Sequence, residues 1–127
     1  MEGMILPDVR SACNLEKQDD SFDEQLIPLI NSQLMMAHEF GIGPNGFVLR
    51  TKEETWEDWL GAAADKLAAA QTWLGYRVLL LFDPPDNATV LKAYQETLDK
   101  MEWMLCSKST LEGHASQIYP VEYAEED

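Results

Sequence analysis

Four residues, Phe82-Asp83-Pro84-Pro85, restrict the fold of this chain more than any other stretch. A residue before proline avoids the helical region, because the proline ring collides with its backbone. Two consecutive prolines after a long helical pattern therefore stop it. Upstream, Leu67, Ala70, Leu74, Val78 and Leu81 recur at helical spacing within 62–82, and Trp73 and Tyr76 widen that apolar face. Val78 to Phe82 is apolar all round, which predicts an end buried on most sides. Downstream, Asp86 or Asn87 can cap a new helix. Val90, Tyr94, Leu98, Met101 and Leu105 then alternate steps of four and three, followed by apolar Trp103 and Met104 near the end. Lys92, Glu96 and Lys100 stand four apart and support the outer face. A link this short predicts that the two helices pack as an antiparallel pair.

The first half of the chain reads as shorter helices and loops. Leu6 to Cys13 suits a short helix, with Pro7 in the first turn and Asp8 at the positive end of the dipole. Asn14 to Asp20 is a polar loop. Ser21-Phe22-Asp23-Glu24 fits a capping box, opening a helix whose apolar residues are Leu26, Ile30, Leu34 and Ala37. Pro28 lacks a backbone donor and is expected to kink it, and Gly41 ends it. Gly41 to Gly46 is turn-rich. Phe47-Val48-Leu49-Arg50 is extended in character, to pair as a strand or lie as an arm against a neighbour, and Thr55 to Leu60 reads as a helical turn. After Cys106 the apolar spacing stops: Ser107 to Gln117 is polar, and Ile118-Tyr119-Pro120-Val121-Glu122-Tyr123 favours extended backbone. The expected architecture is all-α. It is a small bundle of about four helices with a long loop or arm, over residues 1–106, and an extended C-terminal tail over 107–127.

Charge removes several functions. Nine basic residues face 23 acidic ones, a formal net charge of −14. Nucleic-acid binding relies on Lys and Arg displacing counterions from phosphates, and the basic residues here form no stripe, so neither nucleic acid nor an anionic membrane surface is an expected partner. Such acidity either keeps a surface soluble or serves to repel or imitate DNA. Cys13 and Cys106 lie in apolar helical patterns without CxxC spacing and are expected as buried free thiols in a reducing compartment. Met1 to Leu6 has no basic region or long apolar run and does not read as a signal peptide. The longest apolar run, Val78 to Phe82, is too short to span a bilayer. The expectation is a soluble intracellular protein.

No catalytic arrangement emerges. His38-Glu39 lacks the second histidine of a zinc HExxH site, and His114 has no partner near in sequence. The glycines at 41, 43 and 46 follow a helix, the reverse of a dinucleotide fingerprint. Asp19-Asp20-Ser21 lacks the ligand pattern of a calcium loop, and the carboxylates of Glu53-Glu54-Glu57-Asp58 belong to a solvated surface. No catalytic, cofactor-binding or metal residues are therefore assigned, and the chain does not read as an enzyme. Trp56, Trp59, Trp73 and Trp103 suit core packing, with some available to a partner. The candidate contact residues are the apolar ones outside the helical periodicity: Phe47, Val48 and Leu49 in the arm, and Ile118, Tyr119, Pro120, Val121 and Tyr123 in the tail, which are expected to dock on another subunit.

Five segments in order resemble one family. Asp19 to Asn31, Gly41-Ile42-Gly43-Pro44 with Gly46-Phe47-Val48, Thr55 to Gly61, Arg77 to Pro85, and Leu98 to Leu105 are similar to small head–tail connector (adaptor) proteins of tailed bacteriophages. The Ala62-Ala63-Ala64 stretch and the residues after Cys106 depart from the family pattern. The resemblance implies a helical subunit assembling as a closed ring of about twelve copies. That ring would sit beneath the portal protein, meet a tail-completion or stopper protein, and pass DNA through its centre without specific binding. It implies a place in the neck of the virion, after assembly in the host bacterial cytoplasm, and no cofactor. An acidic bore suits this role because it gives DNA nothing to grip. The alternative reading is an acidic DNA-mimicking inhibitor of a nucleic-acid-handling protein. It accounts for the charge but not for the Phe82–Pro85 turn or the apolar tail.

Overall fold

The computed structural model describes residues 3–61 and 64–114, with side chains over 3–61 and 68–105. Five helices follow one another: α1 (Ile5–Ala12), α2 (Asp23–Glu39), α3 (Trp56–Leu60), α4 (Ala64–Phe82) and α5 (Ala88–His114). The fold is all-α, and among the described residues extended pairing is limited to an isolated antiparallel bridge between Met4 and Thr55. The turn Thr55–Leu60 stands as a helix in its own right, so the bundle has one element more than the expected four.

α4 is the hub, with α1, α2, α3 and α5 all packing on it. Its apolar residues lie on more than one side, so a single neighbour cannot cover it. Ala70, Trp73, Leu74 and Val78 are fully buried, and Ala12 of α1 approaches α4 closely at Gly75. Edge-on ring pairs set the directions of the helices. Phe22 at the start of α2 meets Phe82 at the end of α4 at 5.5 Å, and Phe40 at the end of α2 meets Trp73 at 6.2 Å. α2 therefore runs opposite to α4. Tyr76 meets Tyr94 at 4.8 Å across the antiparallel α4–α5 pair.

The helix ends follow backbone hydrogen-bond rules. Asn87 caps α5, its Oδ1 accepting from Thr89 N at 2.8 Å and Val90 N at 3.1 Å. α2 ends in a Schellman motif: Ile42 N donates to Ala37 O and Gly41 N to His38 O, with Gly41 at φ +80°. α2 also runs unbroken through Pro28. Its start differs from expectation. Ser21 N donates to Asp19 Oδ1, no side chain caps the helix, and the helical residues begin at Asp23. The physical reason is local competition: Asp19 takes the Ser21 N–H that Glu24 would accept in a capping box, and next in the chain the Asp23 carboxylate accepts Arg10 Nη2 at 2.7 Å and Nε at 3.1 Å. The reciprocal capping box forms instead between Thr55 and Asp58, at the start of α3.

Two further departures concern faces and length. Leu81 is expected in the core but is 53% exposed: it continues the stripe of Ala70, Leu74 and Val78, but at the last turn of α4 it faces the open groove that α2 and α5 leave between them. α5 carries on to His114, across the expected boundary at 106/107, although its apolar spacing ends near Cys106. Helical backbone satisfies its own hydrogen bonds and needs no apolar stripe to continue. The tail segment Ile118 to Tyr123 lies outside the described residues.

The Arg10–Asp23 fork is buried and ties α1 to α2, with Arg10 Nη1 also donating to Lys17 O at 2.6 Å. Removing one partner strands the other charge inside the fold. Arg10→Ala is expected to lower unfolding stability by about 3–5 kcal/mol, while Arg10→Met combined with Asp23→Leu recovers most of the loss. Urea denaturation of both variants measures the difference.

Candidate functional site

Inside the bundle the most connected polar group is Arg77, on the central helix. Its Nε donates to Gln33 Oε1 of α2 at 2.6 Å, its Nη1 donates to Glu102 Oε2 of α5, and its Nη2 lies 3.6 Å from Met36 Sδ. The same Glu102 oxygen accepts Trp73 Nε1 at 3.0 Å. The guanidinium stands 5.3 Å from the Trp73 ring centre and 5.8 Å from that of Phe40, within cation–π range. One charge thus joins three helices, and its planar fork matches the partners that surround it.

α2 and α5 both lie on α4 but leave a groove between them, with a cavity of about 400 Å³. Gln33 and Met36 form one wall, Arg77, Leu80 and Leu81 the floor, and Gln95, Leu98, Asp99 and Glu102 the other wall. Large apolar side chains stand exposed on these same three helices: Met35 and Met36 on α2, Leu81 on α4, Trp103 and Met104 on α5. Trp103 is 61% exposed, whereas Trp56, Trp59 and Trp73 are buried. Of these, Met36 and Leu81 line the groove itself, and exposed apolar area of this kind marks interaction surfaces.

The arm residues are placed on the opposite side of α2. Leu49 is buried in this chain's own core, while Phe47 and Val48 are half-buried. Asn31 grips the arm like a strand partner: Leu49 N donates to its Oδ1 at 2.8 Å, and its Nδ2 donates to Leu49 O at 3.4 Å. The segment is an irregular arm folded onto α2 and makes no strand. Glu54 holds the next two residues, accepting from Arg50 N at 2.7 Å and Thr51 N at 3.0 Å. Burial works to raise the Glu54 carboxyl, but the backbone N–H groups outweigh it and leave its pKa below the ordinary value. The tail candidates Ile118, Tyr119, Pro120, Val121 and Tyr123 lie outside the described residues.

A second, smaller pocket of about 230 Å³ lies between the Gly41–Pro44 loop, Trp59, Leu60 and Leu105. The buried Trp59 Nε1 there has no hydrogen-bond partner among the described residues. Gly43, at φ +79°, lets the loop pass over the indole, since a Cβ would come within 2.3 Å of that nitrogen. His38 is exposed at the end of α2, with Nδ1 3.4 Å from Gly43 O. Among the described residues no group of three or more His, Cys, Asp or Glu could hold a metal ion, and no helix is long and apolar enough to cross a membrane.

The groove face was partly readable in sequence. Met35 and Met36 are adjacent on a helix, and neighbours in sequence cannot both face the same core. Trp103 lies off the Leu98–Met101–Leu105 stripe. Only packing shows that α4 contributes Leu81 to the same surface.

Two variants test these assignments. Arg77→Ala leaves Gln33 and Glu102 without their partner and is expected to lower stability by about 3–5 kcal/mol, with Arg77→Lys losing less because it keeps the charge but not the fork. Denaturant midpoints at unchanged slope report the change. Cys13 is buried and free, and burial, reinforced by the Asp83 charge, pushes its thiol from 9.0 to about 11. Between those values the unfolded chain holds fewer protons than the folded one, so this group's contribution to stability falls as pH rises from 9.0 towards about 11. Cys13→Ser is expected to flatten that decline, measured by thermal melts across this pH range.

A family model described as Phage connector protein matches residues 5–111 of the chain. No curated protein and no solved structure matches it.

Proposed function

We propose, because this chain belongs to the phage connector protein family, that it is the adaptor-ring subunit which docks beneath the portal, joins capsid to tail and lines the DNA passage. The family match across residues 5–111 carries this reading. It takes in all five helices almost to the end of α5, and with them the groove face and the arm. The chain acts as a structural virion protein of the neck and not as an enzyme, assembled in the host cytoplasm as a closed ring of about twelve copies.

The physical features agree with such a role. A ring subunit needs apolar surface for its neighbours, and Met35, Met36, Leu81, Trp103 and Met104 supply it. A DNA passage needs a wall that does not bind phosphate. The net charge of −14, repeated around a ring, repels the duplex over the range set by ionic screening. The tail, Ile118 to Tyr123, serves the contact with the portal or the tail-completion protein, and the arm serves contacts between subunits through Phe47 and Val48, with Leu49 anchoring it in the core. The DNA-mimic alternative rests on the charge alone and leaves the exposed groove face without a purpose.

Electron microscopy of portal-bearing particles incubated with the purified chain tests the proposal. A ring of added density at the portal vertex is the expected result, and particles indistinguishable from the undecorated ones overturn it. A chain ending at residue 114 is expected to keep its helical content but to attach less tightly; full attachment by that truncated chain removes the tail from the contact.

A further inference from the structure

The groove and the arm lie on opposite flanks of the same helix. Around α2, Asn31 holds the arm and Met36 lines the groove, and helical geometry puts the two about 140° apart across the solvent side. The buried stripe of Leu26, Ile30, Leu34 and Ala37 runs between them on the core side. Each subunit therefore presents a ridge on one flank and a trough on the other. A closed cyclic ring needs this arrangement, because its interface is heterologous: every copy offers two different surfaces, one to each neighbour.

The two surfaces also match in charge. In a chain of net charge −14, any contact between copies starts from repulsion. Arg50 and Lys52 put two of the nine basic residues at the end of the arm, and both are exposed. Lys52 Nζ lies 3.4 Å from Asp23, and the Arg50 side chain has no ion pair among the described residues. The groove offers apolar Met36 and Leu81 for the half-buried Phe47 and Val48, and an exposed Asp99 for the guanidinium. Asn31 and Glu54 hold the arm in shape before any contact, so little ordering entropy opposes docking.

We infer that the Phe47–Arg50 arm of one copy seats in the α2–α4–α5 groove of the next, with Arg50 meeting Asp99. The inference rests on the adaptor-ring reading and specifies the contact that closes the ring.

Charge reversal with cross-linking tests it on portal-bearing particles decorated with the full chain. Arg50→Asp and Asp99→Arg are each expected to weaken ring assembly by roughly tenfold or more, and the double variant to restore it. Circular dichroism is expected to show all three folded, since both positions are exposed. Arg50→Cys and Asp99→Cys, combined in one chain, are expected to give a ladder of covalent multimers with a bismaleimide long enough to replace an arginine–aspartate pair, which a direct disulfide is too short to do, and neither alone does so. If wild-type rings form while the single reversals assemble normally, or the paired cysteines give no ladder, the arm–groove contact is wrong and the ring reading stands. Photo-cross-linking from a benzophenone maleimide on Asp99→Cys to residues 115–127 or to the portal protein shows another occupant and likewise overturns it. If no wild-type ring forms, the adaptor-ring reading fails and takes this contact with it.

Discussion

A guanidinium among the apolar residues that end α4 has to find its partners inside the fold, and Arg77 finds them on two other helices. Gln33 of α2 and Glu102 of α5 both reach it, and Glu102 at the same time satisfies the indole N–H of the fully buried Trp73. An unpaired charge at this depth is strongly destabilising, whereas a fully partnered one is tolerated. The network therefore selects where α2 and α5 lie along α4. Hydrophobic burial alone is indifferent to small slides and rotations of a helix; directional bonds from one fork to two helices are not.

The groove results from that registration. Because both outer helices are pinned to α4 through Arg77, they straddle it without closing over it, and the strip of α4 between them stays open. The exposed methionines, Leu81 and Trp103 are left on its margins. A monomer gains nothing from such a surface, which is why an uncovered apolar groove on a connector subunit reads as half of an interface. Methionine suits a surface of this kind, since its unbranched side chain adapts to the shape set against it.

The other half of the molecule fastens loops. Arg10 and Asp23 close the α1–α2 connection, Asn31 holds Leu49, Glu54 holds the backbone of Arg50 and Thr51, and Thr55 with Asp58 starts α3. Each places a side-chain acceptor against backbone or guanidinium donors that the helices leave unsatisfied. The result is a long connection between α2 and α3 with a defined shape, carrying two of the few positive charges in an acidic chain. Repulsion acts over the surface at large, while the arm sets two exposed cations, Arg50 and Lys52, next to Glu53 and Glu54.

Much of the fold was legible in the residues. The Phe82–Pro85 stop, the Asn87 cap and the apolar spacing before and after them determine two long antiparallel helices, because backbone sterics and capping act locally. Gly41 likewise marks the end of α2 through its left-handed backbone. The Ser21 capping box was also legible but did not form, since Asp19, two residues earlier, takes the Ser21 N–H that Glu24 would have accepted. Leu81 and α5 beyond Cys106 show the same limit: periodicity says which face of a helix is apolar but leaves open whether a neighbour covers all of it, and how long the helix runs. By itself the sequence determined the helices, the acidic surface and the family resemblance. Only tertiary structure decided that Arg77 binds two helices at once, leaving a groove on one flank of α2 with the arm on the other, because those positions depend on partners 25 to 44 residues away.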